Sequence, residues 1–167
     1  FLTSDYVPLY NPVEEYLYDT GRWDGKDRIR ALADLVPCHN PHWQELFYRW
    51  FLGMVAHWRG MDRQHGNNTS PLLVGSQGFR KSTFCRILLP PELRFGYTDS
   101  IDFKSRQEAE RSLGRFLLVN IDEFDQISIN QQGFLKHLLQ KPVANLRKPY
   151  GSTIREMRRY ASFIGTS

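Results

Sequence analysis

The chain has 167 residues and a formal net charge of +4, with 41% hydrophobic and 24% charged residues. Those figures describe a globular protein with one core and room for a small appended subdomain. No apolar run approaches about 20 residues, which excludes a transmembrane helix, and two cysteines, Cys38 and Cys85, exclude a disulfide framework. The opening Phe1-Leu2-Thr3-Ser4-Asp5 lacks Met and lacks the basic and apolar regions of a signal peptide. It reads as the cut end of a longer chain, with free thiols and a reducing cytoplasm as the expected setting.

The first predicted helix starts at Asn11, with Pro12 at its first position and Glu14 and Glu15 in its first turn. Gly21 stops it, and Trp23-Asp24-Gly25-Lys26 reads as a turn. Arg28 to Leu35 has helical spacing (Ile29, Leu32, Ala33, Val36) and ends before Pro37. Pro41 opens a long apolar stretch from His42 to Arg59. Its aromatic residues (Trp43, Phe47, Tyr48, Trp50, Phe51, Trp58) recur at helical intervals. They predict an aromatic-packed buried helix rather than a base-stacking platform. His39 and His42 lie beside Cys38, but no second knuckle completes a zinc site, so they read as loop. Gly60 to Ser70 is polar. The expected boundary lies there, between a helical region 1–68 and a second unit 69–167.

From Pro71 strands and helices alternate. Leu72-Leu73-Val74 is a short apolar strand, followed by Gly75-Ser76-Gln77-Gly78-Phe79-Arg80 and then Lys81-Ser82-Thr83 opening a helix to about Leu88. That order is the layout of a phosphate-binding loop. A triphosphate packs several negative charges together, and inward-turned backbone N–H groups at the positive end of a helix can hold them. Residues 75–83 are the predicted nucleotide contacts, with Lys81 on the β- and γ-phosphates and the Ser82 hydroxyl on Mg²⁺. Arg80 stands where the usual pattern has its second glycine. It implies a strained backbone there, or a loop that bends at Gly78, with the cation free to lie against phosphate.

Pro90-Pro91 breaks the helix, Tyr97 lies on a short strand, and Ser105 to Leu113 is a short helix. Residues 116–121 form an apolar run ending in Asp122-Glu123, which predicts a strand buried on both faces of a parallel sheet. Such strands end at the sheet edge where ligands bind. Asp122 there would support Mg²⁺, and Glu123 would take the proton of the attacking water. About forty residues separate this pair from Lys81-Ser82, enough for a crossover connection. A helix from about Ile129 to Leu139 ends before Pro142, and Ser162 to Thr166 reads as another strand. The alternation argues for an α/β fold, a parallel sheet covered on both faces. Positive charge gathers at Arg147-Lys148, Arg155, Arg158-Arg159 and between Arg22 and Arg30. A basic face of this kind can bind nucleic acid by releasing counterions.

Taken together, Asn11-Pro12, Tyr16-Leu17, Trp23-Asp24-Gly25-Lys26-Asp27-Arg28-Ile29, the Gly75 to Thr83 loop, Asp122-Glu123, Arg147-Lys148-Pro149-Tyr150-Gly151 and Phe163-Ile164-Gly165-Thr166-Ser167 stand in the order of landmarks of the virulence-associated E (VirE) family. The chain resembles that family over nearly its whole length. The resemblance implies an AAA+-like P-loop NTPase core, akin to superfamily 3 helicases, behind a helical N-terminal region. It further implies ATP and Mg²⁺ as ligands and DNA as partner. A ring of identical subunits and a role in replicating bacterial mobile elements or phages, in the bacterial cytoplasm, follow from the same likeness. Asp122-Glu123 would be its Walker B pair. Arg147, Arg155, Arg158 and Arg159 are candidates for a finger reaching a neighbour's γ-phosphate, or for DNA contacts, on a hairpin between the Walker B and sensor strands. The family's sensor asparagine would follow Ser167, so a chain ending there is expected to bind nucleotide and hydrolyse it slowly. Two rival readings accompany this one. Arg80 fits a nucleic-acid-binding or assembly module with a degenerate nucleotide site. A small-molecule P-loop kinase would need a lid and an acceptor pocket, and the Asp-Glu pair suits an ATPase better.

Overall fold

The computed structural model describes residues 10–147 and 154–167. Three helices come first: α1 (Pro12–Asp19), α2 (Arg28–Asp34) and α3 (Trp43–Trp58). The Asn11 side chain accepts from the N–H groups of Val13 and Glu14, which caps α1 as its sequence predicts. Asp27 caps α2 in the same way, accepting from the Arg30 N–H. Then follow β1 (Leu72–Leu73), α4 (Lys81–Ile87), β2 (Tyr97–Thr98), α5 (Arg106–Arg115), β3 (Leu118–Ile121), α6 (Ile129–Gln140), β4 (Val143–Arg147), β5 (Ile154–Arg158) and β6 (Ser162–Thr166). Short 3₁₀ turns at Pro91–Gly96 and Phe124–Gln126 precede β2 and follow β3.

β1, β6, β3 and β2 form one parallel sheet in that order, and β4 and β5 pair antiparallel as a separate hairpin. The last strand therefore inserts between β1 and β3, with Leu73 opposite Thr166 and Gly165 opposite Ile121. All three strands end at the same edge. The alternation along each strand sorts side chains to two faces. Leu118 and Ile164 join a cluster with Phe47, Trp50, Met54, Cys85 and Leu88, while Val119, Ile121 and Phe163 join one with Ala109, Leu113, Leu135 and Leu138. Helices α3 and α4 thus cover one face, and α5 and α6 the other, which makes a three-layer α/β arrangement.

The aromatic helix α3 packs as its pattern predicts. Phe47 and Trp50 are buried, and the Phe47 ring lies 5.2 Å from that of Trp43 and 6.2 Å from that of Phe84 on α4. Residues on both sides of position 68 share this cluster. Polar contacts tie them further. The Asn67 amide donates to the Trp50 carbonyl and the Ser162 hydroxyl, and Trp58 Nε1 donates to the Leu117 carbonyl.

His57 lies buried at the end of α3, with Nδ1 lacking a partner. Burial first, and the nearby Arg159 cation second, hold its pKa down to about 4. An unfolded chain protonates this histidine near pH 6.5, whereas the folded one resists until about pH 4. Its contribution is therefore complete above pH 6.5 and declines as pH falls from there to 4, by about 3 kcal/mol at most. Urea midpoints taken across that window should flatten in His57→Leu relative to the parent. An unchanged slope would remove His57 as the source.

Candidate functional site

The site sits at the carboxyl edge of β1, β3 and β6. The loop after β1 returns to the sheet through backbone bonds, Gly75 N–H to the Ser167 carbonyl at 3.1 Å and Ser167 N–H to the Leu73 carbonyl at 3.0 Å. Both expectations for the loop backbone are met. Gly78 has φ of +91°, and Arg80 is held at φ +56°, in the left-handed region. That conformation costs a residue with a Cβ roughly 1–2 kcal/mol. Arg80 is the residue immediately before α4, so the strain is spent at the helix entrance where a ligand would meet free N–H groups. Across the cleft Glu123 is also left-handed, at φ +53°. These are the two non-glycine residues of positive φ among those described.

Lys81 Nζ donates to the carbonyls of Gly75 at 2.5 Å and Ser76 at 3.1 Å. The ammonium thus folds back over its own loop. Thr166 Oγ1 donates to Asp122 Oδ1 at 2.5 Å, and the Ser82 hydroxyl lies 3.4 Å from the same oxygen. Asn120, buried, donates to Thr166 Oγ1 at 3.4 Å. A line of polar groups therefore runs from the sheet interior to the Asp122 carboxylate. Beside it, Ser167 Oγ donates to Asp125 Oδ1. Cys85 lies beneath, and burial together with the Asp122 charge pushes its thiol up to about 12.

Of the predicted contacts, Gly75, Gln77, Gly78, Arg80, Lys81, Ser82, Thr83, Asp122 and Glu123 line one open cleft of about 610 Å³. Ser76 and Phe79 line a neighbouring cavity instead. Asp125, Gln126 and Ser167 join the cleft unpredicted. Thr166, which fixes Asp122, was also missed as a site residue. Its signal was positional, since a strand inserted beside β3 must end next to Asp122. The donor set suits Mg²⁺, a hard cation that takes oxygen ligands and keeps few from protein. Ser82 Oγ and Asp122 Oδ1 are such oxygens, already adjacent.

The arginine candidates separate. Arg147 and Arg155 sit on the two paired strands of the hairpin, since Arg147 pairs with Ile154 and Leu146 with Arg155 in its register. Their side chains, and residues 148–153 between the strands, lie outside the described residues. Arg158 is partly buried. It pairs with Glu14 of α1 at 3.0 Å and donates to the carbonyls of His57 and Trp58. Arg159 corrects the expectation of a finger or a DNA contact. It is 1% exposed, and its guanidinium donates to the carbonyls of Leu138, Leu139, Lys141 and Ala161. The first three are open carbonyls at the end of α6, which a cation satisfies well. Burial draws its pKa down to about 10, so it stays charged at neutral pH. Replacing Arg159 by leucine would orphan these carbonyls, and a loss of about 3 kcal/mol or more in urea unfolding is expected. A change below about 0.5 kcal/mol would show that α6 does not need this cap.

Two of the cations in the basic stretch near the N-terminus are also held by carboxylates. Arg28 grips both carboxylate oxygens of Asp24 at 2.7 Å, which holds that carboxyl well below the usual range, and Arg30 pairs with Asp27 and Glu45. No helix among the described residues is long and apolar enough to cross a membrane.

Comparison with known proteins covers the landmarks from Trp23 onward, while Asn11-Pro12 and Tyr16 precede the matched range. The family model for the virulence-associated protein E-like domain matches residues 17–167. No curated protein matches the chain. The match spans nine-tenths of the sequence, from the first helix through the strand that supports Asp122, and on that extent the chain belongs to the virulence-associated protein E-like domain family.

Proposed function

We propose that this domain is a P-loop ATPase of the AAA+/superfamily 3 kind, working as the motor of a helicase-like replication protein of a bacterial mobile element or phage. The observation that carries the reading is the meeting of Lys81, Ser82, Asp122 and Glu123, from two loops about forty residues apart, around one cleft at a parallel sheet edge. In this reading the loop N–H groups and Lys81 bind and neutralise the β- and γ-phosphates. Bound Mg²⁺ supplies further neutralisation of phosphate charge. Ser82 and Asp122 would hold it, and Thr166 keeps the Asp122 carboxylate turned toward Ser82. Glu123 accepts a proton from water as its oxygen bonds the γ-phosphorus and the bond to the β-bridging oxygen breaks, leaving ADP and phosphate. DNA and a ring of identical subunits belong to the same proposal and rest on family membership. With Arg158 and Arg159 engaged internally, Arg147 and Arg155 are the remaining candidates for contacts outside the subunit.

Arg80 favours a second reading, a module that binds nucleic acid or partners with a weakened nucleotide site, because its side chain stands in the cleft where glycine would leave room. ATP binding and turnover with Mg²⁺, with and without single-stranded DNA, separate the two. DNA-stimulated turnover is expected for the motor. Nucleotide-independent DNA binding without any ATP affinity would favour the module.

A further inference from the structure

Next to the phosphate cleft lies a second cavity, of about 390 Å³, that shares Gly75 and Lys81 with it. Its character is opposite. The α2–α3 connection contributes Leu35, Val36, Pro37 and Cys38, and the loop and α4 contribute Phe79 and Phe84. Four of its apolar residues stand in water, Val74 at 75% exposure, Phe79 at 71%, Leu35 at 63% and Leu72 at 42%. Large apolar side chains left open beside a charged loop mark a binding surface. Few polar side-chain groups remain free in it. The Trp43 indole N–H is taken by the Ala33 carbonyl at 2.9 Å, and the Lys81 ammonium by Gly75 and Ser76.

We infer that this cavity receives the nucleobase of a nucleoside triphosphate whose phosphates lie in the adjoining cleft. The inference rests on the phosphate-loop reading and deepens it. A ligand that joins a polyanion to a flat apolar ring matches two contiguous sites of these two kinds. Inorganic polyphosphate would fill only the cleft and leave the apolar side chains exposed. Recognition here is of ring faces by Phe79 and its neighbours, so the N-terminal helical layer contributes directly to nucleotide binding through residues 35–38.

Cys38 provides a direct readout. It is exposed and lines the cavity, whereas Cys85, the other cysteine, is buried. With Mg²⁺, saturating ATP should slow maleimide modification of Cys38 by about tenfold or more, while saturating inorganic triphosphate leaves the rate unchanged. In calorimetry, Phe79→Ala should weaken ATP by about tenfold, the scale of one lost base–aromatic stack, without changing triphosphate affinity. Because Phe79 is mostly exposed, the variant is expected to fold. If ATP binds but Cys38 reacts at its free rate and Phe79→Ala binds as the parent does, the base lies elsewhere and the phosphate-loop reading survives. Equal protection by triphosphate and ATP would mean loop closure rather than base occupancy and would overturn the inference. Absence of all ATP and triphosphate binding would bring down both.

Discussion

Lys81→Ala is expected to abolish ATP binding, weakening it on the order of 100-fold or more. The ammonium belongs to the one lysine lining the cleft, and under the proposed reading it would donate charge-assisted hydrogen bonds to phosphate oxygens, each contributing about 1.5–3 kcal/mol. Removing two such hydrogen bonds together weakens binding by more than about a hundredfold. The fold should survive, since Lys81 is the first residue of α4 and alanine favours helix more than lysine does. Its bonds to the Gly75 and Ser76 carbonyls are at a partly exposed position where water can replace them. Calorimetry of parent and variant, with circular dichroism as the folding control, reads the result. Unchanged affinity in a folded variant would sink the phosphate-loop assignment.

Glu123→Gln should leave ATP affinity within a few-fold of the parent and lower turnover by about 10²–10⁴, the range for loss of a general base. The substitution keeps length and shape and removes only the proton-accepting charge. The left-handed backbone at Glu123 suffers equally with either side chain, so the fold is not a confounder. Equal turnover would remove Glu123 from the chemistry and direct attention to Asp125, which lines the same cleft. The opposite failure, loss of binding with Glu123→Gln, would make the residue a ligand-positioning group.

Much of this was legible in the chain because the deciding interactions are local. Asn11 caps the helix that begins at the next residue, and the start of α4 at Lys81 follows from a loop that cannot continue as strand. β3 announced itself as a run of apolar residues too continuous for a half-exposed strand. What escaped depends on partners far apart in sequence. Arg159 reads as one more surface cation until α6 is seen to end against it, 18–21 residues away. Thr166 looks like an ordinary strand residue until the strand order sets it beside Asp122, 44 residues earlier. The antiparallel pairing of β4 with β5 was legible only as a hairpin of unspecified strands. The 3₁₀ turns at Pro91–Gly96 and Phe124–Gln126 had no periodic signal at all, being no longer than two helical turns.

The cluster shared across position 68 bears on what can exist as a separate piece. A fragment beginning at residue 69 would offer Leu73, Leu88, Leu89, Leu118 and Ile164 to water over one whole side of its sheet. It would also lose the Glu14 partner and the α3 carbonyls that hold Arg158 at the base of the hairpin. Such a surface favours self-association over a soluble monomer. The helical layer and the sheet therefore share one core, and a division of the chain at position 68 would cut through it.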